Sequence, residues 1–520
     1  MIMRKGVIIV GLLLTAFISN GQSFERSSRP TADSLPVNDR DHKNRIVYDV
    51  FVRSYFDSNR DGNGDLNGLT SKLANIRGMG AEGVCLSPIN PSPSYDNFDV
   101  TNFYKVDSVY GDTASLKKLV STAHQLKLKV FLNLPVNHCS TKHPWFVSAV
   151  SGKSSQYSDY FIWKDEKSIS GSKDKWHSPV DKNGKKIPGK KFYGSNGSKA
   201  PDFNFSNAEL RAEVMKIGTF WLKEFDLDGF KIDGVELYFD AESVSETNKW
   251  WKEFHSEMKK TKAGFYLAGN VISGDNKSFV GNGFDALVNH DISSAIINVV
   301  KNEVDSGLVI DLLKVRSTYS ANATDFIDII SINNEKHDRS RTLLNGDQEK
   351  SKLAATLLFT LPGSPYLYYG EEVGMFGKLP KEYIREPYLW STAKNAGGKT
   401  KWEASKYNTQ DVKSFNVSSR DSSSVFSHYK KLMALRRTTP ALNGNGFENV
   451  KVSDNRVISF LRYSDKQKVL IVMNLTNKDL DTKIDFRGVI GSAIFENGKV
   501  VIDGEKMICS PHGVSVFLVN

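Results

Sequence analysis

The chain has 520 residues, 39% hydrophobic and 11% aromatic, which is enough apolar material for one large core and a smaller second domain and excludes a disordered chain. Its formal charge is +10, but the lysines are scattered and form no block, so the surface reads as solvated; acidic glycans or surfaces are the partners such a charge would favour, and nucleic acid is not expected. Cys85, Cys139 and Cys509 are too few and too far apart for a disulfide framework or a thiolate metal site, and they read as buried thiols.

In chain order, Met1-Ile-Met-Arg-Lys5 precedes an apolar run from Val7 to Ile18 and then Ser19-Asn-Gly-Gln-Ser23, the order of a secretory signal. Residues 1–22 are therefore expected to be a cleaved signal peptide, the mature protein to be secreted or periplasmic, and 23–43 to be a linker. No Cys stands near the cleavage zone, which disfavours a lipid anchor. The apolar run is shorter than the roughly 20 residues a bilayer requires, and no later run reaches that length, so no membrane span is expected.

From residue 44 to 442, strand-like runs alternate with helical patterns. Eight runs stand out: Ile46 to Ser54, Gly83 to Ser87, Val130 to Val136, Gly229 to Asp233, Phe265 to Ala268, Phe284 to Val288, Phe326 to Ile332 and Tyr366 to Tyr369. Between them, stretches such as Asp112 to Lys127, Ala208 to Phe225 and Glu349 to Leu361 repeat apolar residues at helical spacing. The pattern predicts a (β/α)8 TIM barrel. A long polar insertion after the third strand, residues 139–199, predicts a subdomain at the carboxyl end of the barrel. From 443 to 520, short alternating strands such as Val457 to Tyr463 predict a C-terminal all-β sandwich.

Six phrases fall on or beside these strands in a telling order. They are Asp57-Ser-Asn-Arg-Asp-Gly-Asn-Gly-Asp65, Ser92-Pro-Ser-Tyr-Asp-Asn-Phe-Asp99, Leu134-Pro-Val-Asn-His138, Pro201-Asp-Phe-Asn204, Asp228-Gly-Phe-Lys-Ile-Asp233 and Leu361-Pro-Gly-Ser-Pro-Tyr-Leu-Tyr-Tyr-Gly-Glu-Glu372. In these the chain resembles the α-amylase family, glycoside hydrolase family 13, over nearly its whole mature length. The resemblance implies a retaining mechanism: an Asp attacks the anomeric carbon, a Glu protonates the leaving oxygen, and a second Asp stabilises the cationic transition state.

Only the first of these carboxylates is present. Asp233 matches the nucleophile, and Lys231 stands where the family has an arginine. Asn270 occupies the general-acid position, and no Glu occurs between Glu257 and Glu303 to replace it. Counted back without gaps from Asn345-Gly-Asp347, the family's Asn-His-Asp falls on Asn334, Glu335 and Lys336, with Arg339 as the family's arginine. Sliding two residues offers His337, Asp338 and Arg341 instead. Asn289-His-Asp291 spells the same motif but follows the sixth strand, where it reads as a helix start.

Other positions depart from the family as well. Phe98 and Asp96 replace a stacking Tyr and its neighbouring His, while the substrate-binding Asp99 remains; Asn133 replaces an Asp, and Leu237 a His. The resemblance makes Phe98, Asp99, His138, Lys231, Glu335 and Arg339 candidate substrate-binding residues. Asp233 could equally be a structural partner of Lys231 or Lys336. Arg385, Trp390 and Trp402 either line a sugar groove or pack locally. Asp57, Asn59, Asp61, the carbonyl of Asn63, and Asp65 have the alternating oxygen spacing of a calcium loop, with Gly62 and Gly64 allowing the turn. A second calcium site could use Asn137 and Asp202, though Leu237 weakens it.

Three functions fit these residues. The first is a pseudo-hydrolase that binds α-glucan or another oligosaccharide without cleaving it efficiently. The second is an active α-glucoside hydrolase or transglycosylase in which Glu335, Asp338 or Glu236 donates the proton. The third is a non-catalytic interaction scaffold, like the amino-acid-transporter heavy chains that resemble this family, although those carry a membrane span.

Overall fold

The computed structural model describes residues 45–151, 155–169, 173–181, 183–237, 244–272, 275–324, 326–393, 396–409 and 412–520. The expected signal peptide and linker lie outside the described residues. No described helix is long and apolar enough to cross a membrane.

Eight parallel strands close into a barrel, each bonded to its neighbours in sequence and the first to the last. They are β1 (Val47–Val50), β2 (Gly83–Leu86), β3 (Lys129–Asn133), β4 (Gly229–Asp233), β5 (Tyr266–Asn270), β6 (Ala286–Val288), β7 (Ile327–Ile330) and β8 (Ser364–Tyr368). All eight fall where the sequence predicts strands, because a strand covered on both faces reads as a short continuous apolar run. Their ends differ by a few residues. The third run is apolar to Val136, but pairing stops at Asn133, and the residues beyond it turn into the loop that carries Asn137 and His138.

Helices between the strands bury one face on the barrel. Ala208–Phe225 buries Leu210, Val214, Ile217, Trp221 and Phe225, starts where Asn207 Oδ1 accepts the Leu210 N–H, and ends at Asp226 in the left-handed region. The insertion after β3 folds as a helix, Pro144–Ser151, and a three-stranded antiparallel sheet of Trp163–Asp165, Lys190–Tyr193 and Trp176–His177. Phe146 stacks on Trp163 of this sheet and meets Phe161 and Phe192 edge to face.

The C-terminal region forms a five-stranded and a four-stranded sheet, with antiparallel pairing throughout. The central strands of the five-stranded sheet, Val457–Tyr463 and Lys468–Asn474, are buried on both faces. Val457, Leu470 and Val472 pack against Leu480, Ile484 and Met507 of the other sheet, while Ile458, Phe460, Ile471 and Met473 join the core of the barrel. Arg462 crosses this junction fully buried, donating to the carbonyls of Thr360, Leu442, Gly444 and Gly446 at 2.5–3.1 Å.

Just beyond β8, two carboxyls are buried under the site. Glu371 accepts from Tyr429 Oη at 2.8 Å and Asn333 Nδ2 at 2.6 Å, and Glu372 accepts from Tyr48 and Tyr388 hydroxyls at 2.7 and 2.8 Å. Burial pushes the Glu371 carboxyl up from 4.5 to about 7, against the pull of Asn333 and Tyr429. The native state therefore holds this proton more tightly than the unfolded chain. Stability falls as pH rises from about 4.5 to about 7 and levels off above that. In urea titrations at pH 5 and pH 7.5, Glu371→Gln is expected to lose less stability between the two than the parent, by on the order of 1 to 3 kcal/mol. An unchanged difference would contradict this assignment.

Candidate active site

Strands β3, β4 and β5 end side by side at the carboxyl face of the barrel, where a TIM barrel places its chemistry. The register pairs Asp233 with Asn270 and Lys231 with Asn133. Asp233 is the acceptor at the centre: Asn133 Nδ2 donates to Oδ2 and Asn270 Nδ2 to Oδ1, both at 2.6 Å. Burial opposes ionisation of Asp233, but Lys231, Lys336 and the two amides outweigh it and hold the carboxyl well below the usual range.

Asn270 has a second partner that the sequence did not mark. Its Oδ1 lies 2.7 Å from His290 Nε2, and an amide oxygen can only accept, so Nε2 carries the proton. Burial and then Lys336 lower the pKa of His290, which favours the neutral ring. Asn289 caps the helix His290–Asn302, the helix start expected at Asn289-His-Asp291, and that start aims the imidazole at Asn270.

The ion pair of the centre is not one the sequence suggested. Lys231 Nζ lies 3.1 Å from Asp49 Oδ2, while the direct partners of Asp233 are amides rather than Lys231 or Lys336. Asp49 is a lone carboxylate inside the apolar strand β1. That is its only signal in the sequence. Burial lowers the pKa of Lys231, but Asp233, Asp49 and Glu335 outweigh it, so the ammonium persists.

The loop after β7 sends the residues of the two registers to different places. Glu335 and Lys336 line a space of about 20 Å³ together with Asp49, Lys231, Asn270 and His290. His337 and Asp338 line a separate hollow, and Asp338 Oδ1 accepts the Leu379 N–H at 2.9 Å. Arg339 departs from the expected substrate-binding role: it is fully buried, donates to the carbonyls of Ile384 and Tyr369 at 2.9 and 2.8 Å, and lies over the rings of Tyr368 and Tyr369. It braces the loop from below.

The remaining candidates divide. Phe98, Arg385, Asn133 and Glu335 line a second space of about 20 Å³ with Asp49 and Lys231. Asp99 accepts from the hydroxyls of Ser92 and Ser94, so its carboxylate is held back in its own loop. His138 is buried against Asn137 Oδ1 at 2.7 Å, and burial lowers its pKa to about 4, so the ring is neutral. Trp390 and Trp402 make local contacts. Trp390 donates to Tyr55 O at 2.5 Å, and Trp402 donates to Ser54 Oγ at 2.8 Å and stacks on Tyr95. Glu236 accepts the Ile272 N–H at 2.7 Å and borders neither small space.

In the 57–65 loop, Asp57 accepts the N–H groups of Arg60 and Gly62, Asp61 that of Asn63, and Asp65 those of Ser58 and Gly68. Carboxylates tied this way keep unused lone pairs and still fit a hard cation. No group of three or more His, Cys, Asp or Glu converges on one point among the described residues, so amide and carbonyl oxygens would have to complete the set. Asp202 accepts the Ser195 N–H while its buried Oδ1 has no partner, and burial pushes its carboxyl up to about 7. Asn137 Oδ1 already faces His138 and Leu237 is buried, so the second calcium set is not assembled.

Retaining hydrolysis needs a second carboxyl about 5 Å from the nucleophile and room for a sugar ring. Here both oxygens of Asp233 accept from amides, and the two spaces lined by Lys231, Asp49 and Glu335 hold about 20 Å³ each, where ligand sites run to about 300–1,000 Å³.

Against known families, the α-amylase catalytic-domain model matches residues 49–445. "Alpha-amylase 3" of Dictyoglomus thermophilum is 37% identical over 436 residues, covering 84% of this chain and 85% of that protein. A 4-alpha-glucanotransferase of Thermotoga neapolitana is 28% identical over 448 residues, covering 84% and 96%. Among solved structures, the α-amylase from H. orenii superposes with a TM-score of 0.82 at 31% identity, covering 92% of this chain and all of that one.

The Asp49–Lys231 pair gives a direct test of the charge arrangement. Asp49→Asn and Lys231→Met are each expected to destabilise the fold by about 3 kcal/mol, since each strands a buried charge, and the double variant by clearly less than their sum. Strict additivity in urea denaturation would show that the two groups do not depend on each other.

Proposed function

Since the chain belongs to the α-amylase family, we propose that it binds an α-glucan or related oligosaccharide at the barrel mouth while its hydrolytic step is impaired. The observation that carries this reading is the double amide clamp on Asp233. A carboxylate that accepts two short hydrogen bonds beside two ammonium groups is a poor nucleophile, because attack must give up that stabilisation.

The neighbouring group at the end of β5 is an amide with no proton to give. Losing a positioned general acid costs on the order of a hundred- to ten-thousand-fold in rate. Lys336 adds a cation where positive charge develops on the sugar, so the fixed field opposes the transition state.

A second reading, an active α-glucoside hydrolase or transglycosylase, is favoured by the names of the relatives, an α-amylase and a 4-alpha-glucanotransferase. In it Glu335 is the carboxyl best placed to donate a proton, because it borders the same space as Asn270, whereas Glu236 and Asp338 are engaged with backbone amides.

Reducing-end assays on maltoheptaose separate the two. Under the first reading the parent turns over at least a hundredfold more slowly than Asn270→Glu/Lys336→Asp, which restores both missing carboxylates. Parent turnover at ordinary enzyme rates, lost in Glu335→Gln, would establish the second.

Two further expectations belong to this proposal. The N-terminal segment directs the chain out of the cytoplasm. The 57–65 loop holds calcium through Asp57, with Asn59 and the Asn63 carbonyl completing a set that its aspartates do not close by themselves. Thermal melting in 5 mM calcium is expected to exceed that in EDTA, with the difference abolished in Asp57→Ala; equal melting in the two conditions would refute calcium binding.

A further inference from the structure

Most of the chain's excess positive charge sits on the insertion after β3. Residues 139–199 carry 12 lysines and no arginine against five acidic residues, a net +7 within a whole-chain total of +10. No run of these lysines is longer than two, but the fold gathers several on one side. In the three-stranded sheet Trp163, Phe192 and His177 stand side by side, with Phe146 packed on Trp163 and Phe192, so Lys164, Lys191, Trp176 and Tyr193 share the opposite face. Lys164 stands directly opposite Lys191, a placement in which like charges repel. Lys164 Nζ lies 5.1 Å from the centroid of the Trp176 ring, which meets Tyr193 edge to face. The Glu166 N–H donates to Gly189 O at 3.0 Å, which brings the turn of Lys167 alongside Lys190.

The acids of the insertion do not neutralise this side. Glu166 pairs with Lys191 at 3.1 Å, Asp181 accepts the N–H groups of Asn183 and Lys185 within its own turn, and Asp165 stands opposite Lys190. Asp159 and Asp174 lie in single helical turns outside the strands. Lys164, Lys167 and Lys190 are exposed and form no ion pair among the described residues. A fixed array of like charges is a cost to the folded chain that a partner of opposite charge offsets. Two features disfavour nucleic acid as that partner: the insertion has no arginine, the side chain that forks onto phosphates, and Trp176 holds the Lys164 ammonium over its ring instead of offering that face to a base. An acidic polysaccharide presents carboxylates along a chain without bases, and the ammonium array is all it requires.

We propose that the lysine side of the insertion docks an acidic polysaccharide, a polyuronate, through Lys164, Lys167 and Lys190. The inference goes beyond the α-glucan reading: it uses no residue of the barrel mouth and holds whether or not Asp233 reacts.

Surface plasmon resonance of the full chain on immobilised polygalacturonate, its fully methyl-esterified form and single-stranded poly(dT) tests it. Polygalacturonate is expected to bind at least tenfold more tightly than the esterified polymer, which has the same backbone without the charge, and more tightly than poly(dT). Raising sodium chloride from 50 to 500 mM should weaken that binding by about tenfold or more. The triple variant Lys164→Gln/Lys167→Gln/Lys190→Gln should lose at least tenfold of the affinity. Lys451→Gln/Lys483→Gln/Lys499→Gln removes the same charge from exposed lysines of the C-terminal region and should change it less than twofold. All six side chains are exposed, so neither variant strips a buried contact. Equal losses in the two triple variants would reduce the effect to net charge and overturn the inference. Equal binding of the esterified polymer, no binding of polygalacturonate, or poly(dT) binding as tightly would overturn it as well. Each of these outcomes leaves the α-glucan reading standing, since that one is decided on maltoheptaose.

Discussion

Two short hydrogen bonds, from Asn133 and Asn270 to the two oxygens of Asp233, organise the centre of this molecule. They satisfy a carboxylate buried at the end of β4, and they do so with neutral groups, so the surrounding cations need other partners. Lys231 finds one in Asp49 across the barrel. Lys336 Nζ makes no hydrogen bond among the described residues, and its charge acts on Asp233 from nearby. The same clamp fixes His290, because Asn270, while donating to Asp233, turns its oxygen toward the imidazole. The amide at the end of β5 thus ties Asp233 and His290 into one hydrogen-bonded network.

The scaffold tolerates this because a TIM barrel separates the residues that hold it together from those at its carboxyl face. The strands are buried on both sides, the helices cover them, and the five-stranded sheet of the sandwich packs on the same core. Arg462 closes the junction between barrel and sandwich using only backbone carbonyls, so it makes no demand on the chemistry of the site. Arg339 illustrates the other side of this division. Seen as a family arginine it suggests a hand on the substrate; in the fold it is a brace beneath the loop.

The eight strands were legible because a parallel strand covered on both faces reads as a compact apolar run, and Asp233, Asn270 and Lys336 were legible because they sit at the ends of such runs. Asp49 was not, since a single charge within an apolar strand gives no hint of a partner 182 positions away. His290 was recognised as part of a helix start, but the direction of its ring depends on how strands β5 and β6 stack. Trp390 and Trp402 could not be told from sugar-stacking residues, because an aromatic in a long loop looks the same in sequence whether its ring meets a ligand or Tyr55 and Tyr95.

The proposed impairment rests on Asp233 being held out of chemistry by its own neighbours. A 5-fluoro-α-glucosyl fluoride probes this directly, since fluoride leaves without protonation and only a competent nucleophile and an open ring site are required. After prolonged incubation, intact mass spectrometry is expected to show the parent chain unmodified. A stoichiometric glycosyl adduct mapped to Asp233 would contradict the account.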